Sequence, residues 1–159
     1  MQIKLEHVNY IYNPDTVERV IAADDINLEI GGNTLTAIIG STGSGKSTLI
    51  QMLNGLLKPS SGTISYDGKV IYTEGKETKE QKAALRQLRC KVGLVFQYPE
   101  YQLFDVTVLK DVCYGPKNQG LSDEDAEKKA RAALKAVGIT EDLFEKSPFD
   151  LSGGEKRRV

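Results

Sequence analysis

The stretch Ile38–Leu57, IIGSTGSGKSTLIQMLNGLL, decides how this chain is read. It opens on apolar residues, passes through Gly40, Gly43 and Gly45, and runs on from Lys46 with apolar residues at helical spacing. Gly40-Ser41-Thr42-Gly43-Ser44-Gly45-Lys46-Ser47, followed by Thr48, matches the pattern of a phosphate-binding loop. Glycines let the backbone curl so that several N–H groups converge on one anion. A helix starting near Lys46 aims the positive end of its dipole at the same point. Lys46 brings a mobile positive charge to the β- and γ-phosphates of a nucleotide. The Ser47 hydroxyl suits Mg2+, and Thr48 adds a phosphate contact. The competing reading is a Gly/Ser linker that fits by chance, and the apolar strand before and helix after weigh against it. Kinases, GTPases, helicases and transporter motors share such a loop, so it does not choose among them.

Outward from the loop, Thr34–Ile39 reads as a short apolar strand. The helix is expected from Lys46 to about Leu57, with Leu49, Ile50, Leu53 and Leu57 on one face and Pro59 and Gly62 ending it. Upstream, Ile3–Tyr10 reads as a strand, Asn13–Asp15 as a turn, and Val20–Ile30 as a strand broken at Asp24-Asp25. Downstream, Gly62–Tyr72 (GTISYDGKVIY) is a hairpin turning at Asp67-Gly68. Thr78–Arg89 is a charged helix with Leu85 and Leu88 inward, and Val92–Phe96 is a short, continuous apolar strand. Ser122–Val137 is a capped helix whose inward stripe is Ala126, Ala130, Ala133, Leu134 and Val137. This order predicts an α/β fold in which an antiparallel β layer lies beside a parallel core.

With 159 residues the chain is long enough for one domain with a real core. Its net charge of −1 gives no electrostatic case for nucleic acid. No apolar run approaches the roughly 18 residues of a membrane span, so any membrane role comes through a partner. The N-terminus alternates like a strand and shows no signal-peptide core. Cys90 and Cys113 share no short motif and read as reduced, mostly buried thiols. His7, the only histidine, reads as a surface strand residue.

A second motif stands at Asp150–Val159, DLSGGEKRRV. Ser152 with Glu155 three residues on is a capping box, which alone would start a helix. Lys156, Arg157 and Arg158 then crowd the first turns against the helix dipole, at about 0.3–1 kcal/mol each. An anion or a charged partner at this helix start would relieve that conflict. GSTGSGKST followed by LSGGE resembles the nucleotide-binding domain of ABC-type ATPases, over essentially the whole chain. VGLVFQ, Val92–Gln97, resembles the segment ending in that family's Q-loop, which makes Gln97 the Mg2+ and γ-phosphate sensor. VNYIY, Val8–Tyr12, is similar to the stretch carrying the aromatic that stacks on adenine, with Tyr12 in that role and Tyr10 as the alternative. The resemblance implies a P-loop NTPase with a β subdomain and loop over about residues 1–97 and a helical subdomain over about 98–159. It also implies a sandwich dimer, in which ATP and Mg2+ held by one subunit are capped by Ser152, Gly153, Gly154 and Glu155 of the other.

Phe96–Ser122, FQYPEYQLFDVTVLKDVCYGPKNQGLS, resembles the energy-coupling factor branch of importers, and YPEYQLF resembles the second of its two ATPase subunits most closely. Asp105-Val106 departs from the pair of acids expected there. The implied role is ATP-driven uptake of vitamins or transition-metal ions from the cytoplasmic face of the membrane. The implied partners are a homologous ATPase, in a heterodimer or a homodimer, a transmembrane coupling subunit and a substrate-binding membrane subunit. Tyr98, Tyr101 and Phe104 suit the interface with the coupling subunit, with core packing as the alternative for Leu103 and Phe104. The family's Walker B strand ending in Asp-Glu and its histidine loop have no match here. The expectation is therefore a fragment, truncated before its general-base Glu and unable to hydrolyse ATP alone. Other ABC importers, soluble ABC-type ATPases, small-molecule kinases and non-catalytic nucleotide-binding modules are the competing classes.

Overall fold

In a computed structural model, which describes residues 2–159, the chain forms two compact units, Met1–Leu94 and Val95–Val159. The first is built on β1 (Ile3–Tyr12), which pairs with β2 (Val20–Ile30) on one side and β3 (Ser61–Tyr66) on the other. Adding β4 (Lys69–Tyr72) gives an antiparallel sheet in the order β2-β1-β3-β4. Leu5 faces Leu28 and Ile64 in its two ladders, so the apolar residues of three strands meet on one face. α1 (Lys46–Leu53) and α2 (Lys79–Arg89) supply Met52 and Leu88 to the same core as Leu5, Val8, Ile64, Ile71 and Tyr72.

The expected break at Asp24-Asp25 is instead a bulge in a continuous strand. Asp25 sits at φ 47°, and its N–H donates to the Asn9 side chain at 2.7 Å rather than to the ladder. Asp tolerates this left-handed backbone better than most residues. Across the bulge His7 is exposed, as expected, with Nδ1 2.8 Å from the Asp25 carboxylate.

Helix α1 is shorter than its apolar spacing suggests. It stops at Leu53, where Gly55 at φ 73° completes a Schellman turn with Gly55 N–H to Met52 O at 3.1 Å and Leu56 N–H to Gln51 O at 2.9 Å. The end is then tied down, because the Gly55 carbonyl accepts from Tyr72 at 3.2 Å and Arg89 at 2.8 Å. Pro59 and Gly62 lie beyond it. Thr48 and Met52 are buried, and Leu49, Leu53 and Leu57 pack half-buried against the core as expected, whereas Ile50 is exposed. α2 begins as expected, with Thr78 and Gln81 forming a capping box.

Thr34–Ile39 and Val92–Phe96 do not form strands. A strand persists only where its N–H and C=O groups meet a neighbour's. Neither segment finds a ladder among the described residues, and Leu35 (101% exposed) and Ile39 (92%) are left in solvent. Hydrophobicity selected these segments, but pairing decides whether they become strands. The parallel core expected around the loop is therefore not formed here.

The second unit pairs α3 (Val108–Asn118) with α4 (Asp123–Ala136) over a core of Val108, Leu109, Cys113, Ala130, Leu134, Ile139 and Phe144. α3 was not expected. Its signal lay in Thr107 as N-cap and in Val108, Leu109, Val112 and Cys113 on one face, obscured by Pro116 inside the helix. Two of its otherwise orphaned N–H groups donate to the segment after α4, Val108 to Lys146 O and Leu109 to Phe144 O, both at 3.0 Å. In α4 the stripe is Ala126, Ala130 and Leu134, whereas Ala133 and Val137 are exposed. Ile139, just past Gly138, folds back into the core in their place. Both cysteines are free; Cys113 is buried, but Cys90 is exposed, contrary to the expectation for both. No helix among the described residues is long and apolar enough to cross a membrane.

Candidate functional site

The glycine loop connects the extended segment after β2 to α1. Gly45 is the N-cap of α1 at φ 83°, and a Cβ there would lie 2.0 Å from the Ala22 carbonyl oxygen of β2. Only glycine permits both that backbone angle and that approach. With Gly45 as cap, no side chain closes the helix start, and its first turn holds no acid. The leading N–H groups of a helix have no partner within it, so this end offers donors and positive potential to an anion.

Lys46 Nζ bends back across the loop. It donates to Gly40 O at 2.9 Å, Ser41 O at 2.6 Å and the Ser44 hydroxyl at 3.3 Å, which uses its three protons. The ammonium thus braces the curl it would share with a phosphate. Ser47 is exposed, while Thr48 is buried beneath Tyr12, with the two hydroxyls 3.1 Å apart. Tyr12, Val20 and Ala22 on the strands and Gly43–Thr48 on the loop line an open cleft of about 240 Å³. Tyr12 and the loop are therefore brought together, whereas Tyr10 packs edge-on against Tyr12 and does not line the cleft. Sequence reasoning missed Val20 and Ala22 as cleft walls, because nothing in two small apolar strand residues announces that role.

Gln97, Ser152, Gly153, Gly154 and Glu155 belong to the second unit. Gln97 is exposed at a bend. Ser152 caps the short helix α5 (Gly153–Lys156) in a complete capping box. Its N–H and hydroxyl both donate to Glu155 Oε2, at 2.8 and 2.6 Å, and Glu155 N–H donates back at 3.3 Å. These bonds hold the Glu155 carboxyl below the usual carboxylate range. One of the cations crowding the helix finds an internal partner, since Arg157 lies 3.5 Å from Glu100. Upstream, Asp111 accepts from the N–H groups of Phe104 at 2.9 Å and Asp105 at 3.1 Å, which fixes the end of YPEYQLF. Phe104 packs edge-on against Tyr114 with centroids 4.9 Å apart, and both remain more than half exposed. Tyr98 and Tyr101 are exposed beside them in the sequence, so Phe104 belongs to this aromatic surface rather than to the core.

A glycine loop opening an uncapped helix start beside an exposed aromatic is the arrangement of the P-loop class. The sequence profile of the ABC transporter family matches residues 23–159, and the chain belongs to that family. Among curated relatives, it is 52% identical over its whole length to the energy-coupling factor transporter ATP-binding protein EcfA2 of Caldanaerobacter subterraneus subsp. tengcongensis, of which it covers 53%. It is 51% identical to the EcfA2 protein of Clostridium perfringens, of which it covers 54%. The chain thus spans about half the length of the curated relatives it matches. Among solved structures, the ATP-binding cassette MJ0796, a dimer in a post-hydrolysis state with ADP and Pi, superposes with a TM-score of 0.79 at 28% identity, covering 98% of this chain and 66% of that one. CbiO1 of Clostridium perfringens, part of the ABC transporter complex cbiONQ, gives 0.75 at 40% identity, covering 98% and 57%.

Proposed function

We propose that the chain provides the ATP-binding face of an energy-coupling factor type importer subunit, which couples ATP binding and hydrolysis to uptake of vitamins or transition-metal ions. The observation carrying this is the loop Gly40–Thr48, braced by Lys46 and opening an uncapped helix, in a chain alike over its whole length to energy-coupling factor ATP-binding proteins. The residues fit a polyphosphate: the start of α1 is uncapped, the dipole is positive, and no carboxylate stands in its first turn. ATP would be held by the N–H groups of the loop and by Lys46, and Mg2+ by the Ser47 hydroxyl and Gln97. Tyr12 would cover the base. Ser152, Gly153, Gly154 and Glu155 would cap a nucleotide bound by a second, homologous subunit, in a heterodimer or a homodimer.

When bound, the metal neutralises charge on the phosphates; the chain's own part is positioning and charge stabilisation. Lys46 would exchange its carbonyl partners for phosphate oxygens, and the backbone donors would orient them. The exposed aromatics Tyr98, Tyr101 and Phe104 support docking on a membrane-embedded coupling subunit, which works with a substrate-binding one. The protein is then peripheral, on the cytoplasmic face. In the assembled full-length complex, Lys46→Ala should lower ATP-driven uptake and ATP hydrolysis at its site by about hundredfold or more. Unchanged turnover would refute the assignment.

A further inference from the structure

Tyr12 ends β1 and pairs with Val20 across the sheet. One side of its ring is fixed by Tyr10, at 4.8 Å between centroids and 70° between planes. Tyr12 is 39% exposed and borders the cleft in front of the loop. Its hydroxyl lies 3.1 Å from that of Thr48, which stands in the first turn of α1 and is 6% exposed. A ring serving only as an apolar surface for a base needs no hydroxyl. A buried helical threonine also has its own preceding carbonyl as an alternative partner. Here the two hydroxyls meet each other, joining the sheet to the loop helix across the floor of the cleft.

We infer that the Tyr12–Thr48 hydrogen bond is a positioning link, which sets the distance and tilt between the ring that takes the base and the loop that takes the phosphates. The inference rests on the nucleotide reading above and deepens it: the site is tuned to a nucleoside triphosphate rather than to polyphosphate alone. Thr48 acts through Tyr12, its hydroxyl held by that of Tyr12 at the edge of the cleft. A ring already held in place loses less freedom on binding, and that saving appears as affinity for ligands with a base.

The test measures MgATP and magnesium tripolyphosphate affinities of the full-length protein as wild type, Tyr12→Phe, Thr48→Val, Thr48→Ser, the Phe/Val double variant and Lys46→Ala. Unfolding without ligand confirms that each variant is folded. Tyr12→Phe keeps the ring and should weaken ATP about three- to tenfold, with a smaller loss for tripolyphosphate. Thr48→Val should do the same, the double variant should be no worse than either single one, and Thr48→Ser should restore binding. Additive losses, equal losses for the two ligands, or undiminished ATP binding by Tyr12→Phe would overturn the link. Lys46→Ala separates the two claims. If it weakens neither ligand, the nucleotide site itself is misassigned and the link falls with it. If it weakens both while the two single losses add, only the link falls.

Discussion

The chain holds two helix starts rich in glycine and serine, and they are closed in opposite ways. At α1 the cap is Gly45, without a side chain, and the first turn carries no acid. At α5 the cap is Ser152, and Glu155 turns its carboxylate back onto the Ser152 N–H and hydroxyl. The first start leaves its donors and dipole available to an outside anion. The second already holds an anion of its own. Similar composition therefore yields an open site in one unit and a self-satisfied one in the other. The deciding residue is the acid three positions after the cap, present at 155 and replaced at 48 by a threonine engaged with Tyr12.

The glycines test this contrast most sharply. Gly45→Ala must take a positive φ and meet the Ala22 carbonyl, so it should destabilise the first unit by more than about 2 kcal/mol and abolish nucleotide binding. Gly153→Ala meets no atom within 4 Å and has ordinary backbone angles, so its thermal midpoint should stay near wild type. Equal drops in the two midpoints would break the comparison.

Serine substitutions should show the same contrast in reverse. Ser152→Ala removes a cap and should cost about 1 kcal/mol in denaturant unfolding. Ser47 makes no side-chain hydrogen bond among the described residues and is exposed, so Ser47→Ala should leave unfolding unchanged. The same variant should weaken Mg2+-dependent ATP binding about tenfold on the proposed role, since a charge-assisted contact contributes roughly 1.5–3 kcal/mol at most. A stability loss at 47 and none at 152 would reverse the assignment of which helix start is self-capped.

The smallest effect is a pH dependence. The Glu155 carboxyl is lowered in the folded chain by its bonds to Ser152. A depressed folded pKa stabilises the box above the unfolded carboxyl's range, and that support is lost as pH falls through the folded value. Protection of the Ser152 and Glu155 amides, taken relative to their intrinsic exchange rates at each pH, should therefore fall on acidification, while Glu155→Gln, which keeps the box geometry, should flatten the profile. Acid sensitivity that persists in Glu155→Gln would assign it to another group.

Much of the candidate site was legible because its signal is local. A glycine pattern followed by a lysine and a hydroxyl pair marked the loop that opens α1, and Thr78, Ser122 and Ser152 cap the helices their spacing predicts. The hairpin at Asp67-Gly68 is likewise written in two residues, with φ 47° and 75°. The failures are of another kind. Thr34–Ile39 and Val92–Phe96 carry strand composition, but a strand requires a neighbour, and no local pattern supplies one. α3 was hidden because Pro116 argues against a helix locally, while packing of Val108, Leu109 and Cys113 outweighs it.

By itself, then, the sequence determined the glycine loop before a helix, the capped helix starts and the family, since each depends on residues close together in the chain or on the order of short motifs. Only the tertiary structure decided that Tyr12 rather than Tyr10 borders the cleft, that its hydroxyl meets Thr48, and that Ala22 stands under Gly45. Those contacts join strands β1 and β2 to a loop many residues away. Their geometry comes from strand register, bulges and helix packing, which depend on all the paired elements at once.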